Sequence, residues 1–232
     1  MERKLYITTS WDDGHILDLK LAELLKKYGL RGTFYVSPED REISAHDRLT
    51  DDQVRELSLE YEIGAHTMTH PHLTKVDIDN ATKEIIDSKA YIEKVTGKRV
   101  TSFCYPAGFF NEQCESIVKA AGFTYARTVN RFAFRLGANP FAAPTTIHAY
   151  RHWSDALPIL REVGLKRFLA CYLHWDELAI TLFDQAPDGG VFHLWGHSWE
   201  VEKNGDWARL ERVFAHIAHK KNAEYLSNAD LV

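Results

Sequence analysis

The sequence predicts an α/β domain built on parallel strands, and three observations point there. Short β-branched runs alternate with amphipathic helical stretches along most of the chain. Several helical stretches stop at a glycine, a common helix terminator. The residues able to do chemistry fall just after strands. Alternating strands and helices imply parallel strands with helices outside them, as an open doubly wound sheet or as a barrel. In both, functional groups collect at the C-terminal ends of the strands.

The elements follow in order. LYITTS (5–10) is a strand that runs into WDDG, and DLKLAELLKKYG (18–29) is a helix with apolar residues at helical spacing and a glycine stop. TFYVS (33–37) is the second strand, and 50–58 reads as a helix with Thr50 as N-cap. YEIGAH (61–66) is the third strand. Residues 77–96 form the clearest helix, with Ile78, Ala81, Ile85, Ile86, Ile92 and Val95 among its apolar positions and Gly97 beyond its end. TSFCYP (101–106), a helix over 111–122 and TYARTV (124–129) continue the rhythm. Residues 130–150 read as irregular, with one strand near TTIHAY; 154–185 read as mostly helical. GGVFHLWGH (189–197) is a late strand, and 206–221 a closing helix.

The 232 residues are 45% hydrophobic and 26% charged, ordinary values for a protein with a real core. No linker, repeat or charge block divides the chain, so one domain spanning 1–232 is expected. A net charge of −5 argues against nucleic acid as partner, because phosphate binding needs clustered Lys and Arg. The start, MERKLYITTSWDDG, is too polar for a signal-peptide core, and no run nears the ~18 apolar residues of a membrane span. Cys104, Cys114 and Cys171 are scattered with no CxxC, which excludes a disulfide framework or a local Cys-type zinc site. A cytoplasmic address is the simplest expectation. Phe109, Phe110, Phe132, Phe134 and Phe141 crowd the middle loops, as a groove or a subunit contact; the oligomeric state stays open.

Four places carry the chemistry. In SWDDGH (10–15), adjacent carboxylates at a strand end raise one another's pKa unless a cation is near. One Asp on a metal and one free as base resolves that conflict, although Asp-Gly is also a common turn dipeptide. HTMTH (66–70) sets two histidines four apart, which on one side of a helical turn offer two imidazoles to one ion. Two His and one carboxylate leave coordination positions open, which suits hydrolysis of an amide or ester. In GGVFHLWGHSWE (189–200), His197 at the strand end is the candidate general acid, and His193 reads as a buried, satisfied imidazole. Trp195 and Trp199 flank His197 and could stack on a sugar ring. FCYPAGFFN (103–111) ends a strand in a turn that could aim backbone N–H groups at an oxyanion; equally, it is an ordinary turn with Asn111 capping the next helix.

Taken together, Ser10-Trp11-Asp12-Asp13-Gly14, His66-Thr67-Met68-Thr69-His70, Tyr105-Pro106-Ala107-Gly108 and the late His197 resemble the polysaccharide deacetylase family, also called the NodB-homology domain or carbohydrate esterase family 4. The resemblance runs from about residue 5 to about 200. It implies a distorted (β/α) barrel of seven parallel strands and hydrolysis of N-acetyl or related acyl groups on amino sugars. Carried over by position, Asp12 is the general base, and Asp13, His66 and His70 hold a divalent metal: zinc first, with cobalt, manganese or iron(II) as alternatives. An N–H near Ala107, in the Tyr105-Pro106-Ala107 turn, helps bind the oxyanion and substrate, and His197 protonates the leaving amine.

This chain departs from the family in two places. Many members have Arg-Pro-Pro-Tyr where this chain has Cys104-Tyr105-Pro106-Ala107, so the arginine that orients the base is missing there; Arg127 and Arg151 are the candidates to replace it. The last motif usually ends in His-Asp, and here it reads His197-Ser198-Trp199-Glu200. A related hydrolase of non-sugar amides, such as a ureide or cyclic amide, is the alternative. An inactive carbohydrate-binding relative is disfavoured, because Asp12, Asp13, His66 and His70 are all kept.

Overall fold

A computed structural model describes residues 4–232. Strands β1 (Leu5–Trp11), β2 (Thr33–Val36), β3 (Glu62–Ala65), β4 (Ser102–Cys104), β5 (Tyr125–Arg127), β6 (Ile147–His148) and β7 (Val191–Gly196) form a sheet in the order β5-β4-β3-β2-β1-β7-β6. Every pairing is parallel, with β1 and β7 in register from Tyr6↔Val191 to Trp11↔Gly196. Helices α1 (Asp18–Lys27), α2 (Asp51–Glu60), α3 (Ile78–Thr96), α4 (Glu112–Ala120), α5 (Ala156–Leu173), α6 (Trp175–Asp184), α7 (Ser198–Lys203) and α8 (Trp207–Ile217) are the connections and the closing segment.

One irregular stretch joins the two sheet edges and makes the barrel. Ala143 N donates to Ala126 O (2.9 Å) and Thr128 N to Ala143 O (2.9 Å), along β5. A few residues later Thr146 N donates to His193 O (3.0 Å) and Ala149 N to Trp195 O (2.7 Å), along β7. The segment expected as irregular therefore closes the barrel with only two residues of regular strand. The sheet buries Ile7, Trp11, Phe34, Phe103, Phe192 and Leu194 together with Thr8, Thr9 and Ser10, whose hydroxyls are hydrogen-bonded.

Local signals explain the helix ends. Thr50 Oγ1 accepts from Gln53 N while Gln53 Oε1 accepts from Thr50 N, a reciprocal cap that satisfies two orphan donors of α2. Asp77 and Asn111 cap α3 and α4 through the backbone N–H groups of Asn80 and Cys114. Gly97 ends α3 at φ +69°. The helical region 154–185 is broken at Gly164, where φ is +69°, and again at His174 between α5 and α6. Among the described residues, no helix is long and apolar enough to cross a membrane.

The sequence reading missed one strand. β8 (Ala223–Tyr225) pairs with Leu5–Ile7 of β1, on the edge whose upper part, Ser10–Trp11, pairs with β2. Three residues of mixed type carry no periodic signal. What makes them a strand is the open lower edge of β1, followed by Asn228, whose side chain accepts from Thr8 Oγ1 (2.9 Å) and donates to Tyr35 OH (3.0 Å).

Candidate active site

The C-terminal ends of β1, β3, β4, β5 and β7 converge on two carboxylates. Adjacent side chains of a strand point to opposite faces. Asp13 escapes that rule because its φ is +81°, and Gly14 follows at +73°. A β-carbon at Gly14 would meet Val36 Cγ1 at 3.0 Å, so the turn admits little else. Both carboxylates thereby reach the same mouth: His197 Nε2 lies 4.0 Å from Asp12 Oδ2 and 3.9 Å from Asp13 Oδ2.

His66 and His70 come from a loop after β3. The expected helical turn is not what brings them together; Thr67 and His70 both adopt left-handed backbone, at φ +65° and +58°. Such non-glycine conformations cost energy and persist where the surroundings impose them. Here Glu84 of α3 imposes them: its Oε2 accepts from Met68 N (2.8 Å) and Thr69 N (2.9 Å), and its Oε1 from Thr69 Oγ1 (2.7 Å). His66 Nδ1 donates to Cys104 O (2.7 Å), which holds a proton there and makes Nε2 the nitrogen that would bind an ion. His66 Nε2 and His70 Nε2 each lie 3.6 Å from Asp13 Oδ1. That oxygen is buried and accepts no hydrogen bond. An orphaned carboxylate oxygen between two imidazole nitrogens, all three within 4.8 Å of one another, fits a divalent ion.

Asp12 sits beside this set with a different partner. Arg127, wholly buried on β5, donates through Nη2 to both oxygens of Asp12. Arg151 lies elsewhere, 3.3 Å above the Trp153 ring. The arginine missing from position 104 is thus supplied by the next strand, and Cys104 turns its thiol toward Asp12 Oδ2 (3.7 Å) instead. Burial alone would raise the pKa of Asp12, but Arg127, His66 and His197 outweigh it and hold the carboxyl below its usual range. Asp13 is likewise lowered: burial opposes, and His197, His66 and His70 prevail.

His197 Nδ1 is hydrogen-bonded to Glu200 Oε2 (2.5 Å), whose same oxygen lies 3.1 Å from His148 Nε2. Burial pushes His197 down, yet Asp13, Glu200 and Asp12 carry it up to about 9, so the imidazole holds its proton at neutral pH. His193 is buried as expected but satisfied at one nitrogen only: its Nε2 meets Ser10 Oγ at 2.8 Å while Nδ1 has no partner among the described residues, and burial with Arg127 nearby drives its pKa down to about 3. Glu84, Glu200 and His148 escaped the sequence reading, because nothing in their local sequence marks them; only the i, i+3 spacing of His197 and Glu200 on a helix start was legible.

Several side chains expected to touch substrate do other work. Tyr105 is fully buried, stacked on Phe110 at 4.6 Å and bonded through its hydroxyl to Phe141 O (3.1 Å). Pro106 is buried too. What this turn offers is Ala107, exposed and at φ +51°: Tyr105 N, Gly108 N and Phe109 N donate to the carbonyls of Arg127, Tyr105 and Pro106, while Ala107 N has no such partner among the described residues. Trp195 is 4% exposed and sandwiched between His148 (3.8 Å, 7° between planes) and the Arg127 guanidinium (4.5 Å), so it braces the site rather than stacking on a sugar. Trp199 Nε1 donates to Asp13 Oδ2 (2.9 Å), which fixes that carboxylate's second oxygen.

The sequence profile described as polysaccharide deacetylase matches residues 2–126, just over half of the chain. The chain is 31% identical over 115 residues to the peptidoglycan-N-acetylmuramic acid deacetylase PdaC of Bacillus subtilis, a match covering 49% of this chain and 24% of PdaC. It is 23% identical over 126 residues to an uncharacterized 30.6 kDa protein of Geobacillus stearothermophilus, covering 44% of that protein; the chain thus spans less than half of either relative. Among solved structures, a family 4 acetyl xylan esterase from Clostridium thermocellum in complex with a cobalt ion superposes with TM-score 0.63 at 17% identity, covering 97% of this chain and 89% of that one. The Streptococcus pyogenes deacetylase PplD, in complex with acetate, gives 0.55 at 24% identity, covering 59% and 62%. These structures share the fold, and the profile match shows the kinship: the chain belongs to the polysaccharide deacetylase family.

Proposed function

We propose that this protein is a metal-dependent hydrolase that removes an N-acyl group, N-acetyl in the first instance, from an amino sugar or a sugar-containing substrate. The observation that carries the reading is the unpaired Oδ1 of Asp13, 3.6 Å from each of two imidazole Nε2 atoms, beside a second carboxylate and a protonated histidine. One carboxylate and two imidazoles accept zinc, cobalt, manganese or iron(II). When bound, such an ion polarises the acyl carbonyl and lowers the pKa of water at the site. Asp12, kept ionised by Arg127, takes a proton from the attacking water. The free N–H of Ala107 is a hydrogen-bond donor for the oxygen on which negative charge develops. His197 gives its proton to the nitrogen as the C–N bond breaks, so that a neutral amine and a carboxylic acid leave; the acid ionises in water, and the proton on Asp12 returns to His197.

A sugar substrate is favoured by the family and by the name of the B. subtilis relative. Arg127 stands on Asp12, so the absence of an arginine at position 104 does not by itself favour a non-sugar amide. The test is metal content of the purified protein together with amine release from a panel of N-acetylated sugars, with and without chelator. About one ion per chain and chelator-sensitive release is expected. Bound metal without release from any sugar would move the reading to other amides, and no metal after reconstitution would overturn it.

A further inference from the structure

The connection from β2 to α2, residues 37–50, folds over the donor set and carries a carboxylate that the chemistry above does not use. Asp40 is 2% exposed. Its Oδ1 accepts from Glu42 N (2.7 Å) and Ile43 N (3.2 Å). Arg48 Nη1 braces the loop through Pro38 O (3.2 Å) and Asp40 O (3.3 Å), and Glu39 N donates to Met68 O (2.8 Å), inside the loop that holds the two histidines. The other oxygen, Oδ2, is buried and accepts nothing. It faces His70 Nδ1 at 3.9 Å, and that nitrogen is also buried without a partner. Leaving either atom unpaired is unfavourable, and buried polar groups without partners are rare enough to need a reason.

The reason is visible in the other histidine. His66 spends its Nδ1 proton on Cys104 O, so its Nε2 is left as a donor atom. His70 turns its Nε2 toward the same Asp13 oxygen; for that nitrogen to bind an ion its proton has to sit on Nδ1, where it needs an acceptor. We propose that Asp40 is the positioning residue for His70: when an ion is held, Asp40 Oδ2 accepts the His70 Nδ1 proton, fixing the tautomer and the plane of the ring. A carboxylate behind a ligating imidazole raises its basicity and limits its rotation. Glu42 Oε2 is nearer at 3.7 Å, but that side chain is 73% exposed, whereas Asp40 is held in place by two backbone amides. The inference rests on the metal reading above.

The experiment titrates metal-free protein with Zn²⁺ and with Co²⁺ against a chromophoric chelator, in wild type, Asp40→Asn and Glu42→Gln. Asp40→Asn keeps an oxygen for the Glu42 and Ile43 amides and replaces only the oxygen facing His70 with an N–H donor. A flip of that amide would set N–H groups against those two amides. Metal affinity should fall about 10–100-fold in Asp40→Asn, with the melting temperature of the metal-free protein unchanged, while Glu42→Gln binds as wild type. Proton NMR of the zinc-loaded wild type should show two imidazole Nδ1–H signals protected from exchange, from His66 and His70, and the His70 signal should vanish in Asp40→Asn. Wild-type affinity in Asp40→Asn, a loss that follows Glu42→Gln instead, or no protected His70 signal in the loaded wild type overturns the inference. Failure of wild type itself to take up either ion overturns the metal reading beneath it.

Discussion

The two flanks of the site are aimed by different means. The donor flank lies in the first half of the chain and is aimed by its backbone: Asp13, Thr67 and His70 all sit at positive φ. The opposite flank, Arg127, His148, His197 and Glu200, lies beyond the matched residues 2–126, and there side chains aim one another, none of these four being at positive φ. Backbone turns depend on near neighbours, so they are written as short contiguous motifs. Side-chain pairs depend on tertiary proximity, so a partner can move to another strand. Arg127 on β5 holds Asp12 where the family resemblance implies an arginine at position 104, the end of β4, and that is this freedom in use.

The largest expected effect lies on the donor flank. His66→Ala should abolish stoichiometric metal and turnover together; unchanged metal content in that variant would break the proposed assignment. Asp12→Asn, at the seam between the flanks, should keep the metal and lose about 10²–10⁴ in kcat, the usual worth of a general base. A near-normal rate would move the base elsewhere.

On the second flank, Arg127→Met leaves the Asp12 charge buried without its partner. Unfolding in urea should show a loss of about 3–5 kcal/mol, and adding Asp12→Asn should recover part of it. If the double variant is no more stable than the single, the pair is not the source of the cost. The smallest effect tests the strained loop. Glu84→Ala removes the acceptor of two amides and a hydroxyl, and should cost about 1.5–3 kcal/mol while weakening metal binding. Metal affinity unchanged in Glu84→Ala would mean that the loop keeps its shape without this clamp.

Much of this was legible in advance, and the reason differs by residue. The alternation of strands and helices, the caps at Thr50 and Asn111, and the two contiguous motifs at 10–14 and 66–70 follow from neighbours a few positions apart. Even so, the four-residue spacing of His66 and His70 suits a helical turn and this left-handed loop alike, so spacing does not tell them apart. Trp195 and Tyr105 were read as substrate contacts because aromatic residues beside a site look alike in sequence whether they face solvent or core. Burial decides, and burial belongs to the whole fold.

The sequence by itself determined the parallel α/β architecture and the donor motifs, since periodicity, capping and turn chemistry act over a few residues. Only the tertiary structure decided that Arg127 rather than Arg151 pairs with Asp12, that β8 fills the lower edge of β1, and that Asp40 faces His70. Each of these joins residues far apart in the chain, through an interaction whose strength depends on removal from water, and no local pattern records which distant groups share a buried space.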